Sequence, residues 1–305
     1  VDEDYDAALR GLRPFLDAQP NHADATFLLA GVQRRRGQLE ESLDLLRRAV
    51  ELDPQNPLFL STLGGTLQAT RSWAEAARWN RQSLDLEENA WVRGQTALDL
   101  FFASCRQRCD PAESRRLLRA AAPDEDGVLA MHLFLLDLYA AAPDFETAAV
   151  EGALAALEPL GERGGDSVYL NHLIGPRFVA LERVGRAAAA AAWLESRAEA
   201  IEAERIANPD YPTDLSHLAL VRALQGRAPE ALRLAEQGAA RSEADRFSGP
   251  RERELRALVL ALTGHREESE QLVGELLASS YQRALSEILL EKDPLWLRAR
   301  AGSPG

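Results

Sequence analysis

Pro20 and Pro54 stand 34 residues apart, and the same interval relates residues on either side of them. Tyr5, Leu39 and Trp73 follow it, as do Ala8, Ser42 and Ala76, all small. Leu29 pairs with Leu63, and Ala30 with Gly64. A fixed interval of about 34 residues is the mark of an array of helix–turn–helix units. The residues between the repeats fit that reading. Leu28, Leu29 and Val32 give one helix an apolar stripe. Gly37 ends it, because a left-handed cap costs glycine little. A second helix from about Leu39 presents Leu39, Leu43, Leu46, Ala49 and Val50, and the small Ala30 and Ser42 let the two helices approach closely. Pro54 cannot continue that helix, so the next unit begins there.

The pattern resembles the tetratricopeptide repeat. Leu29, Ala30, Gly37, Ala49 and Pro54 fall on its consensus positions within Ala23–Asn56, and Leu63, Gly64, Trp73 and Ala76 do so in the next unit. Thr26 and Gln33 stand where that family usually has an aromatic residue, and Glu88 where it usually has proline. The resemblance implies an all-α fold, a right-handed α-solenoid of stacked antiparallel helix pairs. About seven pairs and a short C-terminal helix are expected.

Three segments are expected. Residues 1–122 hold the regular units, the first reduced to its second helix (Ala8, Leu12, Phe15 and Pro20 in register), as in a chain cut from a longer protein. Residues 123–209 hold divergent helical repeats, with a glycine-rich loop at Gly161–Ser167 and a long fifth pair whose first helix starts near Tyr169. Residues 210–305 return to consensus: Leu218, Ala219, Gly226 and Ala231 in the sixth pair, and Ala257, Gly264 and Ser269 in the seventh. A short helix near Arg283–Leu290 and the tail "EKDPLWLRAR" close the array. Leu295 and Trp296 read as a cap over the last exposed core face, as a terminal repeat requires. The "DPLW" ending is also similar to that of tetratricopeptide regions in bacterial signalling proteins, where a Ser/Thr kinase, a nucleotide cyclase or a winged-helix domain precedes the array.

The net charge of −13 repels phosphate backbones, which argues against a nucleic-acid partner. Lys292 is the single lysine; arginine carries the remaining positive charge, either for recognition or through coding bias in a GC-rich bacterial source. The most apolar stretch, from Val128, is short and interrupted by His132 and Asp137, so no membrane span is expected. Cys105 and Cys109 lack histidines at ligand spacing; a disulfide and two free thiols both stay open. His22, His132, His172, His217 and His265 are scattered, and neither a phosphate loop nor a nucleophile elbow appears. No catalytic residue, metal site or cofactor is expected, and the chain does not read as an enzyme.

What remains is surface. The resemblance implies an inner groove lined by the first helix of each unit. Its lining would include Asp24, Phe27, Leu28, Gly31, Arg34 and Arg35 in the first full unit and Leu58, Ser61, Thr62, Gly65, Gln68 and Ala69 in the second. Gly31 and Gly65 would leave the floor open to a peptide backbone. Phe27 would hold an apolar side chain, and Arg34 or Arg35 a carboxylate. The alternative for Arg34–Arg36 is a helix C-terminus answering its own dipole. The lysine and asparagine with which some family members grip a chaperone's C-terminal carboxylate are absent: Phe27, Gly31, Thr62, Val92 and Thr96 occupy those places. Trp73 is expected in the core and Trp79 on an outer face, as a contact for a neighbouring domain.

The resemblance therefore implies a protein- or peptide-binding module, the sensor or regulatory region of a larger bacterial signalling protein with an effector domain upstream of Val1. Two rivals are an assembly scaffold in envelope biogenesis or secretion, and a small-molecule site around Tyr169, His172 and Arg177. The compartment stays open, with the bacterial cytoplasm ahead of the periplasm.

Overall fold

The computed structural model describes residues 4–89, 147–157, 173–207, 212–282 and 284–301, with isolated positions between 93 and 171. Cys105, Cys109, Tyr169, His172, the glycine-rich loop and the third helix pair expected around residues 91–122 lie outside the described residues. Every regular element among the described residues is a helix. In chain order these are α1 (Tyr5–Ala18), α2 (Ala23–Arg35), α3 (Leu39–Leu52), α4 (Pro57–Ala69), α5 (Trp73–Leu86), α6 (Thr147–Leu157) and α7 (Ile174–Arg183). They continue with α8 (Ala187–Ala207), α9 (Pro212–Leu224), α10 (Ala228–Arg241), α11 (Pro250–Leu262), α12 (Arg266–Ala278), α13 (Glu287–Lys292) and α14 (Pro294–Ala301).

The helices pair as hairpins, α2 with α3, α4 with α5, α7 with α8, α9 with α10 and α11 with α12. Each hairpin turns the same way. Gly37, Gly185, Gly226 and Gly264 all have positive φ, and so does Arg71 at the glycine position of the second unit. In the first turn the Gly37 amide donates to the Arg34 carbonyl (3.0 Å) and the Gln38 amide to that of Gln33 (2.9 Å). This double closure ties off the last carbonyls of a helix. It recurs at Arg71 and Ser72 with Gln68 and Leu67, and at Gly226 and Arg227 with Ala223 and Arg222.

Small residues inside each pair allow close approach. Ser42 Oγ donates to the Ala30 carbonyl (2.8 Å), and Ser269 Oγ to that of Ala257 (2.7 Å), the same two positions in a distant unit. The pairs then stack into an α-solenoid, α3 against α4, α8 against α9 and α10 against α11, with first helices α7, α9 and α11 adjacent. The N-terminal core draws Ala30 from α2, Leu43, Leu46, Ala49 and Val50 from α3, Phe59, Leu60, Leu63 and Leu67 from α4 and Ala76 from α5. Neither pair encloses these residues alone, and each large one contributes about 1.5–3 kcal/mol by leaving water. A second cluster runs from Leu84 to Ala299.

Several expectations need correction. Leu28 is not part of the buried stripe: it is 55% exposed, and Leu29 carries the burial. Trp79 is partly buried against the N-terminal core, with the Arg78 guanidinium 4.6 Å from its ring, so its ring is already used. Trp73 is half-buried. Thr26 and Gln33, at the aromatic positions, are buried; Thr26 Oγ1 donates to the His22 carbonyl (2.9 Å) and Gln33 Oε1 accepts from Arg36 (3.3 Å). The long α8 is not featureless. Ala190, Leu194, Ala198 and Ile201 form one narrow buried seam beside Arg197, whose guanidinium donates to Asn171 (2.7 Å).

The tail also differs. The expected helix near Arg283–Leu290 starts at Glu287, where Ser286 Oγ caps it, and the tail is itself a helix, capped by Asp293. α14 packs on α13, α11 and α7, so it crosses the layer of first helices. Leu295 fills a notch over Gly175, where an added Cβ would lie 1.8 Å from its Cδ1. Arg298 pairs with Glu182 and lies 5.1 Å from the Phe178 ring centroid. Replacing Gly175 by alanine is expected to destabilise the chain by about 1–3 kcal/mol through overpacking. In a double-mutant cycle with Leu295→Ala the double variant should lose less than the sum of the singles. Strictly additive losses in chemical denaturation would show that this docking is absent in solution.

Candidate functional site

The inner face begins with α2 and α4. His22 starts α2, its ring nitrogen accepting from the Ala25 amide (3.2 Å); Asn56 and Pro57 start α4. Between these starts and the hairpin turns, the two helices present the residues proposed from the sequence. Phe27 is half-buried and stacks on Phe59 with ring centroids 4.7 Å apart, so part of its face belongs to the core. A Cβ at Gly31 would meet nothing within 4 Å, and one at Gly65 only Asp99 Oδ2 at 3.8 Å. Leu28 and Leu58 are 55% and 50% exposed at the N-terminal end of the same face. Ser61 Oγ donates to the Leu58 carbonyl (3.1 Å), and the Thr62 carbonyl accepts from Thr66 Oγ1 (2.8 Å). Gln68 is 1% exposed, and neither atom of its amide has a partner.

At the other end of the face the structure supplies something the sequence did not reveal. Residues 242–249, between α10 and α11, come against the first hairpin turn. Arg35 Nη1 lies 3.1 Å from Asp245 Oδ2, across 210 residues of chain. The Arg246 amide donates to the Arg35 carbonyl at 2.7 Å. The Arg34 guanidinium sits 4.4 Å from the Phe247 ring centroid and donates to Thr66 Oγ1 at 3.4 Å. In the second unit Arg71 Nη2 donates to the Leu277 carbonyl at 2.7 Å. Burial first and then Arg35 lower the Arg34 pKa to about 10, with Asp245 and Asp99 opposing the shift, so Arg34 keeps its charge at neutral pH.

Arg35 thus meets a carboxylate, but one from its own chain, while Arg34 stacks on Phe247. Sequence reading missed Asp245, Phe247, Thr66 and Arg71. Two signals were available: a non-glycine residue in the glycine column at position 71, and the compact "DRFSG" turn. At Gly249 a Cβ would lie 2.0 Å from the Ser242 carbonyl oxygen, so the turn closes tightly on itself.

Farther along, Arg177 stacks on Trp193 at 4.4 Å, in the region considered for a small molecule. Buried polar groups gather in the same half. Asp214 is buried, and its carboxyl is raised to about 6, first by desolvation and then by Glu204 and Glu252, with Arg205 opposing. Among the described residues no cluster of three or more potential metal ligands occurs, and no helix is long and apolar enough to cross a membrane.

A tetratricopeptide-repeat family model matches residues 2–57. A comparison with curated proteins finds no match. Among solved structures the chain is similar to YrrB, a TPR protein with an unusual peptide-binding site, at 13% identity and a TM-score of 0.38, over 76% of this chain and 92% of that one. It is also similar to PilW, a widely conserved type IV pilus biogenesis factor, at 15% identity and a TM-score of 0.38, over 84% and 92%. The P58(IPK) TPR domain is similar at 14% identity and a TM-score of 0.28, over 98% and 94%.

The raised Asp214 carboxyl gives a signed prediction. Its protonated form favours the folded state, so that contribution is fully present below pH 3.8 and is lost as the pH rises through about 6. Asp214→Asn should therefore stabilise the chain at pH 7 by about 1–3 kcal/mol and leave its stability at pH 4 little changed. Equal shifts in the unfolding midpoint at the two pH values would contradict this origin.

Proposed function

We propose that this chain, whose residues 2–57 match a tetratricopeptide-repeat model, is a protein-interaction module that binds an extended peptide segment of a partner protein along the inner face of α2 and α4. The observation that carries this reading is the pairing of exposed leucines with open glycines on one face. Leu28 and Leu58 stand in solvent where the rest of the stripe is core, and Gly31 has free space above it. A single exposed leucine needs no explanation, but two beside a backbone-accessible floor form a place for an apolar side chain of an extended segment. In this reading Phe27, Gly31, Ser61, Thr62 and Gly65 line the groove, and Arg34, Arg35 and Gln68 close its far end.

The finer role follows from how the groove ends. Its arginine end is joined to the turn between α10 and α11, so a ligand that favours one arrangement of that contact biases the shape of the whole array. This is the property needed of a sensor or regulatory region in a bacterial signalling protein, and the "DPLW" tail supports the same assignment. A static scaffold needs no such contact.

Gly31→Trp tests the groove directly. A Cβ at Gly31 meets nothing within 4 Å, and replacing a helical glycine does not weaken the helix, so the melting temperature should hold or rise. Peptides selected from a displayed library on the wild-type chain should lose affinity for the variant by roughly tenfold or more. Selected binders that hold the variant as tightly as the wild type would place the site elsewhere.

A further inference from the structure

Resting on the groove reading above, we infer that the arginine end of the groove is a subsite for an acidic-X-aromatic peptide, and that the chain's own Asp245-Arg246-Phe247 turn is its resident competitor. The turn makes three kinds of contact, each of which a peptide ligand would make. Its carboxylate faces Arg35 at 3.1 Å. The next amide donates to the last carbonyl of α2 at 2.7 Å. The aromatic ring one residue further lies under the Arg34 guanidinium at 4.4 Å. Anion, backbone donor and ring are presented by three consecutive residues, and the turn is shaped to present them. Asp245 Oδ1 accepts from the Phe247 and Ser248 amides at 2.9 and 2.8 Å, which leaves Oδ2 for Arg35.

Two features separate this contact from ordinary packing between units. First, it leaves polar capacity unused. Arg34 Nε is buried without a partner. A buried guanidinium N–H without an acceptor is costly, and a carbonyl of an incoming peptide backbone would satisfy it. Second, the turn has room to leave. The outer side of the turn is a solvent-open depression of about 370 Å³ bordered by Ser242, Asp245, Arg246 and Gly249, into which the turn has room to withdraw. The partner segment named by this chemistry carries Asp or Glu, then any residue, then Phe, Tyr or Trp.

The test uses the full chain and a fluorescein-labelled peptide with the sequence of residues 242–249, Ser-Glu-Ala-Asp-Arg-Phe-Ser-Gly. Asp245→Ala/Phe247→Ala removes the resident occupant. Removing an internal competitor raises apparent affinity by the reciprocal of the fraction of chains that were open. The variant should therefore bind the peptide roughly tenfold or more tightly than the wild type by fluorescence anisotropy, with an unchanged helical circular dichroism spectrum. Adding Arg34→Ala and Arg35→Ala, or replacing Asp by Asn and Phe by Ala in the peptide, should remove that binding. Because Phe247 is buried, Arg71→Gly serves as a second route: it removes the guanidinium that holds the other arm of the closure at the Leu277 carbonyl and should also tighten peptide binding. The inference is overturned if either folded variant binds the peptide no better than the wild type, or if binding survives loss of both arginines. Such a failure is distinct from failure of the groove itself, because library-selected peptides would still be lost on Gly31→Trp.

Discussion

Among the described residues, no hairpin buries its apolar face by itself. The N-terminal core takes residues from four helices of two adjacent pairs, and the longer cluster runs continuously from Leu84 to Ala299. Each unit is stable only because the next one covers it, as in any array whose contacts are between neighbours. That dependence sets the rest of the architecture. It demands small residues where helices cross, which is why Ser42 and Ser269 take the same position and make the same bond to a carbonyl. It also demands a tight left-handed turn between the helices of each pair, met among the described residues by glycine four times and by arginine once.

Stacking alone would give an open array in which distant units never meet. Here the first two hairpin turns reach the far units, and each side finishes a helix end on the other. The Arg35 carbonyl, the last of α2, accepts the Arg246 amide. The Leu277 carbonyl, in the last turn of α12, accepts the Arg71 guanidinium. Helix C-termini leave carbonyls unsatisfied, so this reciprocal capping gives the closure direction as well as energy. The tail does comparable work elsewhere, with Leu295 set over Gly175 and Arg298 paired with Glu182. One end of the inner surface is thus covered by the chain itself, while the face around Leu28, Gly31 and Leu58 stays open.

The local parts of this structure could be read from the sequence because their causes are local. Gly37, Gly226 and Gly264 mark turns since only a residue tolerant of positive φ fits there. The 34-residue interval places Leu43, Leu46 and Leu63 inside because the helix period dictates it. The expected groove residues come from the same register; of the two arginines, Arg35 pairs with the chain's own Asp245 and Arg34 stacks on Phe247. The source of that carboxylate was not legible. Asp245 lies 210 residues from Arg35, and their meeting depends on small rotations accumulated over every intervening pair, including irregular ones whose geometry no consensus fixes. Leu28 carried two expectations, the apolar stripe and the groove lining; it is 55% exposed, so the burial falls to Leu29 alone.

The account centres on a stacked array whose first turn touches the turn between α10 and α11. The most direct measurement of that contact is a distance between spin labels at Gln38 and Glu243, both exposed and flanking it, by double electron–electron resonance in a chain with Cys105 and Cys109 replaced by serine. A single narrow distribution at the short end of the accessible range is predicted. A broad distribution at long separations, with the helical spectrum intact, would mean that the units stack but the ring does not close.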